Sequence, residues 1–121
     1  MKRLLLSMLI GMLFIQMNGC ISKNEVELYP CDTNQVSYSK NIRPIISTNC
    51  YKCHDVNNAP LFGNNNHLDS YDSLKHHIAG GLFFNIDHAP GFLAMPKGAP
   101  KLPDCDIAKL KAWAHQDTLN N

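Results

Sequence analysis

The stretch Asn49-Cys50-Tyr51-Lys52-Cys53-His54-Asp55 constrains this chain more than any other. Two cysteines lie two residues apart, and a histidine directly follows the second. Three chemistries use that pattern: a redox-active dithiol, half of a zinc site and the covalent anchor of a haem. Each needs different surroundings, so the rest of the chain has to choose among them.

A redox dithiol needs a thiolate stabilised by a helix N-terminus or by positive charge. In thioredoxin-like chains it also sits in a strand-containing βαβ context. Here a helix is predicted to run into the motif. Ile42, Ile45 and Ile46 fall at i, i+3 and i+4 between Ser37 and Asn49, the spacing of one helical face. Ser39 or Asn41 is the expected N-cap, and Pro44 must lie near the first turn. A helix C-terminus carries partial negative charge, which raises a thiol pKa rather than lowering it. A structural zinc site needs four ligands. No second C-x-x-C occurs, and Cys31 and Cys105 stand alone and far apart in sequence. Haem attachment uses every residue of the motif. Positions i and i+3 of a helical turn share a face, so Cys50 and Cys53 can reach two vinyl groups on one porphyrin edge. His54 then supplies the proximal iron ligand. The motif occurs once, which implies one covalent haem c.

The N-terminus sets the compartment. Lys2 and Arg3 precede the apolar run Leu4 to Ile15, and the sequence Met17-Asn18-Gly19-Cys20 follows shortly after it. This reads as an export signal, too short to span a bilayer as a helix. The Met-Asn-Gly-Cys end resembles the lipobox of bacterial lipoproteins. That resemblance implies a signal peptide over 1–19 and lipidation of Cys20. Residues 20–35 then form the lipidated end and a tether, and 36–121 form one domain. Ile21, rather than Asp, points by analogy to the outer membrane. The expected location is the periplasmic side or cell envelope, anchored to a membrane. Removing the signal with Lys2 and Arg3 takes the formal charge from +1 to −1. With no clustered basic face, nucleic acid is not an expected partner. A domain this small has little apolar area to set against its conformational entropy, so a staple or a large apolar ligand is expected.

Past the motif, residues 55–67 are rich in Asn, Pro and Gly and read as loop. A second helix is predicted from Ser70 to Ala79, with Tyr71, Leu74 and Ile78 on one face and Gly80 or Gly81 as its stop. Residues 88–103 are too rich in proline for extended regular structure. A last helix is predicted from Asp104, with Ile107, Leu110, Trp113 and Ala114 on one stripe. The fold class is therefore small and all-α, with about three helices and long irregular loops.

At this point the chain resembles the class I-like monohaem cytochrome c domains, in particular their small lipoprotein forms. Tyr38-Ser39-Lys40-Asn41-Ile42-Arg43-Pro44-Ile45-Ile46 through Cys50-Tyr51-Lys52-Cys53-His54 is similar to the family's first helix and haem motif. Residues 91–116, from Gly91 through Met95-Pro96 to Trp113-Ala114-His115-Gln116, are similar to its distal-methionine loop and C-terminal helix. The family ends that helix with Trp-[Ile/Val]-x-x-Gly, whereas this chain has Trp113-Ala114-His115-Gln116-Asp117. The resemblance implies a cytochrome c-like fold around one covalent haem, with Met95 as distal ligand. Pro96 stiffens the segment that would present the Met95 sulfur. Among the histidines His67, His76, His77, His88 and His115, His88 is the main competitor, because it belongs to the same stretch of chain. A thioether ligand raises the potential relative to bis-histidine ligation.

With Cys20 lipidated and Cys50 and Cys53 on haem, Cys31 and Cys105 remain. In an oxidising compartment they suggest a disulfide, with two free buried thiols as the alternative. Trp113 reads as core. Leu82, Phe83, Phe84, Ile86 and Phe92 are expected to line an apolar haem pocket. Lys52, Lys97 and Lys101 can steer an acidic partner or simply be solvated surface. The expected function is a membrane-tethered electron carrier, not an enzyme, with redox proteins as partners and no small-molecule substrate. The alternative is a haem-based sensor of small ligands, or an enzyme subunit, with an open or histidine-ligated distal site.

Overall fold

The computed structural model describes residues 31–121, so the expected export signal, Cys20 and most of the expected tether lie outside the described residues. The described chain is helical, with no strand. A π turn over Tyr38–Ile42 leads into α1 (Arg43–Asn49). It is followed by α2 (Tyr51–His54), α3 (Ala59–Phe62), α4 (Tyr71–Ala79), α5 (Leu82–Ile86) and α6 (Asp104–His115). The three longest, α1, α4 and α6, are the three expected from periodicity. None of the described helices is long and apolar enough to cross a membrane.

The first helix departs from expectation at its start. Its N-cap is Ser37, not Ser39 or Asn41; the Ser37 hydroxyl accepts from the Lys40 amide. The amides of Ile42 and Arg43 donate five residues back, to Ser37 and Tyr38. Pro44 comes next and has no N–H to give. The change from π to α spacing therefore falls where one bond is missing in any case. Pro44 lies in the first turn of α1, as its chemistry requires.

One core joins the helices. Ile42, Leu74, Leu110 and Trp113 are its most deeply buried large side chains, with Ile45, Ile46, Leu68, Ile86, Leu102 and Ile107 around them. Full burial of an aliphatic side chain contributes about 1.5–3 kcal/mol. Trp113 is fully buried and stacks on Tyr38 at 5.5 Å between ring centroids, while Tyr71 meets Tyr38 edge-on at 5.4 Å. The last helix thus packs on the start of the first through aromatic faces. The polar handles of Trp113 and Tyr71 find backbone acceptors in the C-terminal segment. Trp113 Nε1 donates to the Leu119 carbonyl at 2.9 Å and the Tyr71 hydroxyl to Thr118 at 2.6 Å.

α6 ends at His115, and Asp117 just beyond it takes the left-handed region at φ 59°. Asp is among the non-glycine residues that visit it most readily. The chain then turns back, and Asn121 closes the first helix. Its side-chain oxygen accepts from the Tyr38 amide and its backbone oxygen from the Ser39 amide, both at 2.9 Å.

At the other end, Cys31 and Cys105 form a disulfide with a Cα–Cα distance of 5.5 Å. Gln116 Nε2 also donates to the carbonyls of Thr33 and Asn34. Residues 31–34 are therefore tied to α6 by a disulfide and hydrogen bonds.

Candidate functional site

The motif forms a turn of its own. Cys50 breaks the helix at φ −120°, ending α1 and preceding α2. Its carbonyl accepts from the amides of Cys53, at 3.1 Å, and His54, at 2.9 Å. This places Cys50 and Cys53 on one side of a single turn. Both are free and half-buried, Cys50 against the core. Burial pushes the Cys50 thiol up to about 11. It is a neutral thiol, the opposite of what a redox dithiol needs. The expected direction of this shift is found, but burial causes it rather than a helix C-terminus. Because Cys31 and Cys105 are bonded to each other, they are not available to complete a zinc set with Cys50, Cys53 and His54.

His54 is oriented from behind. Its Nδ1–H donates to the Asn66 carbonyl at 2.6 Å, which leaves Nε2 as the nitrogen with a lone pair. The His54 carbonyl in turn accepts from the Leu68 amide at 2.6 Å. The loop between them needs unusual backbone. Asn64 and Asn65 take φ of 53° and 59°, conformations that asparagine tolerates. Gly63 passes so close that an added Cβ would lie 2.5 Å from the Cys53 carbonyl and 2.9 Å from His54 Nδ1. Asp55 ties down the same loop by accepting from the amides of Asn57 and Asn58. The stretch expected to be loop throughout also contains α3.

Met95 belongs to a second, separately built unit. Gly80 stops α4, and Gly81, at φ 97°, starts α5, a helix the sequence reading lacks. Asn85 of α5 holds the returning loop twice. Its carbonyl accepts from the Met95 amide at 3.0 Å, and its side-chain amide donates to Leu93 at 2.8 Å. His88 Nε2–H donates to the Met95 carbonyl at 3.1 Å. The Met95–Pro96 peptide is cis. Met95 is half-buried against the core.

The other expected positions divide. Ile86 is core, and Leu82 and Phe83 pack against it. Phe84 and Phe92 stack on each other at 4.5 Å, each about half exposed. His67 is exposed beside Asp69, His115 and His76 are exposed, and His77 is half-buried. Lys52 and Lys97 are exposed, whereas Lys101 pairs with Asp104 at 3.3 Å.

Three residues that matter for the geometry escape sequence reasoning. Gly63 stands out only as a lone glycine in an asparagine run. Asn85 looks like any polar residue in a short helix. Asn66 acts through a backbone carbonyl, which has no sequence signature at all.

The donor set fits a covalently attached haem on several counts. Two free thiols share one turn, and one histidine is fixed with Nε2 free. A thioether stands on an independently braced loop. Exposed apolar side chains accompany both units: Val56, Leu61 and Phe62 after the motif, and Phe84, Phe92 and Leu93 before Met95. Apolar surface of this kind gains from being covered by a large flat apolar ligand. Comparison with protein-family models, curated proteins and solved structures finds no match.

Proposed function

We propose that this chain is a monohaem c-type cytochrome that carries electrons, tethered to a membrane through Cys20. The carrying observation is the Cys50–His54 turn, with its two unpaired thiols and a histidine oriented by the Asn66 carbonyl. Cys50 and Cys53 would hold the haem through thioether links to its two vinyl groups, each S–H adding across one double bond with no group lost. No oxidant is needed. His54 would hold the iron through Nε2, its Nδ1–H bond to Asn66 fixing the tautomer and adding to the basicity of the ligand. Met95 would supply a second iron ligand through its sulfur. When bound, the haem supplies a one-electron ferric/ferrous couple.

The protein's part is to hold both ligands while the charge at the centre changes. His54 is restrained by Gly63 and Asn66, and Met95 by Asn85 and His88, so neither ligand has to find its place anew with each electron. Such a carrier acts on redox proteins and turns over no small-molecule substrate.

The test is a spectrum of the full-length protein, exported from cells that can attach haem c. One haem that stays with the denatured polypeptide is expected, together with a ferric Met–iron charge-transfer band that is lost in Met95→Ala. A polypeptide that keeps no haem on denaturation would sink the reading. Ready binding of carbon monoxide by the reduced protein at neutral pH would replace the carrier with a ligand-binding haem protein.

A further inference from the structure

We infer that His88 is a positioning residue that holds Met95 in place, and that this role takes its Nε2 out of competition for the iron. The inference rests on the haem reading above and concerns how the distal half of that site is held. His88 follows the C-cap of α5 and takes the left-handed region at φ 54°. Its amide donates to the Asn85 carbonyl at 3.2 Å, the same oxygen that receives the Met95 amide at 3.0 Å. This backbone bend turns the His88 ring back toward Met95, and Nε2 lies 3.1 Å from the Met95 carbonyl oxygen.

A carbonyl can only accept, so the hydrogen must be on Nε2. The consequences are coupled. Both backbone groups of Met95 are engaged, the N–H by Asn85 and the C=O by His88. The following residue is Pro96, which has no N–H to offer a neighbour. The loop that presents Met95 is therefore anchored through these two bonds and the Asn85 bond to Leu93. Meanwhile the nitrogen at the tip of His88 is already used. For Nε2 to bind iron, it would have to lose that hydrogen and release the Met95 carbonyl. The bond that steadies Met95 thus withholds the Nε2 of His88 and leaves its lone pair on Nδ1, the ring nitrogen nearer the backbone.

Two amide substitutions separate this role from simple packing. A glutamine side chain places its NH2 where Nε2 stands in histidine, whereas asparagine is one methylene too short, although it suits a left-handed backbone. In the full-length protein carrying its haem, His88→Gln is expected to retain the ferric Met–iron band and the slow carbon monoxide binding of the wild type. His88→Asn is expected to weaken the band and to raise carbon monoxide affinity of the reduced form about tenfold. That is the equilibrium change produced by losing one hydrogen bond. A packing role alone would lower the melting temperature of both variants without separating their spectra. If the wild type has the band and the two variants behave alike, this inference is overturned and the functional reading stands. If the wild type holds covalent haem without the band, and His88→Gln alters its low-spin spectrum, His88 is the ligand and the inference is wrong. A wild type without covalent haem overturns the functional reading and this inference with it.

Discussion

Gly63 sits against the motif so closely that any side chain there would press on the Cys53 carbonyl and on the ring that Asn66 orients. Its φ is −100°, so the need for glycine comes from space and not from backbone conformation. The neighbours are backbone and a held ring, neither of which can swing aside. Gly63→Ala is therefore expected to cost about 1–3 kcal/mol, the usual penalty for overpacking. Urea denaturation of the haem-loaded protein checks it, and an unchanged midpoint would show that the loop yields freely. Tyr71 tests a different residue-scale device. Its hydroxyl donates to the Thr118 carbonyl at 2.6 Å while its ring packs edge-on against Tyr38. Tyr71→Phe keeps the ring and deletes only the donor, so a loss of about 0.5–1.5 kcal/mol is expected. A thermal melt that matches the wild type would mean the Thr118 carbonyl finds another partner.

At the scale of elements, α5 is the piece that brings Asn85 under the Met95 loop. The ion pair between Asp87, its C-cap, and Lys111 of α6 links it to the core at 2.6 Å. Both side chains are partly exposed, so solvent screens the pair and its contribution stays below about 1 kcal/mol. Lys111→Met is expected to lower stability by no more than that amount in low salt, and by less in high salt. A salt-independent loss would assign the effect to packing of the Lys111 stem instead. α5 also shows where a sequence stops being legible. Helices α1, α4 and α6 are long enough for a 3.6-residue apolar period to register, and each was expected. By contrast α3 and α5 span about one turn, too short for a period, and are held by tertiary bonds such as Met95 to Asn85. The site divides in the same way. The turn that gathers Cys50, Cys53 and His54 is legible because the three lie within five residues of one another. Gly63, Asn66 and Asn85 are not, because their roles exist only once distant segments meet. The same holds for the Ser37 cap, which a π turn moved ahead of the expected Ser39 or Asn41.

For the whole molecule, the question is what holds a small helical domain together when much of the chain is irregular. Its N-terminal and C-terminal segments converge on the same helices. Asn121 closes the first helix, Gln116 binds residues 33 and 34, and the Cys31–Cys105 bridge ties the start of the domain to the first turn of α6. These ties differ in weight. A single hydrogen bond contributes about 1 kcal/mol net. A cross-link between residues 74 apart in sequence removes about 4 kcal/mol of unfolded-state freedom in the chain-entropy model. The paired variant Cys31→Ser/Cys105→Ser is therefore expected to lose about 4 kcal/mol, well beyond any hydrogen bond described above. Replacing both cysteines keeps an unpaired thiol out of the comparison and leaves the proposed haem attachment residues Cys50 and Cys53 in place. Denaturant titration of the haem-loaded protein, followed by helical circular dichroism, gives the difference directly. The slope against denaturant is expected to rise in the variant, because an uncrosslinked chain exposes more surface on unfolding. A loss below about 1 kcal/mol with an unchanged slope would show that the unfolded chain is already confined without the bridge, leaving the bridge little freedom to remove.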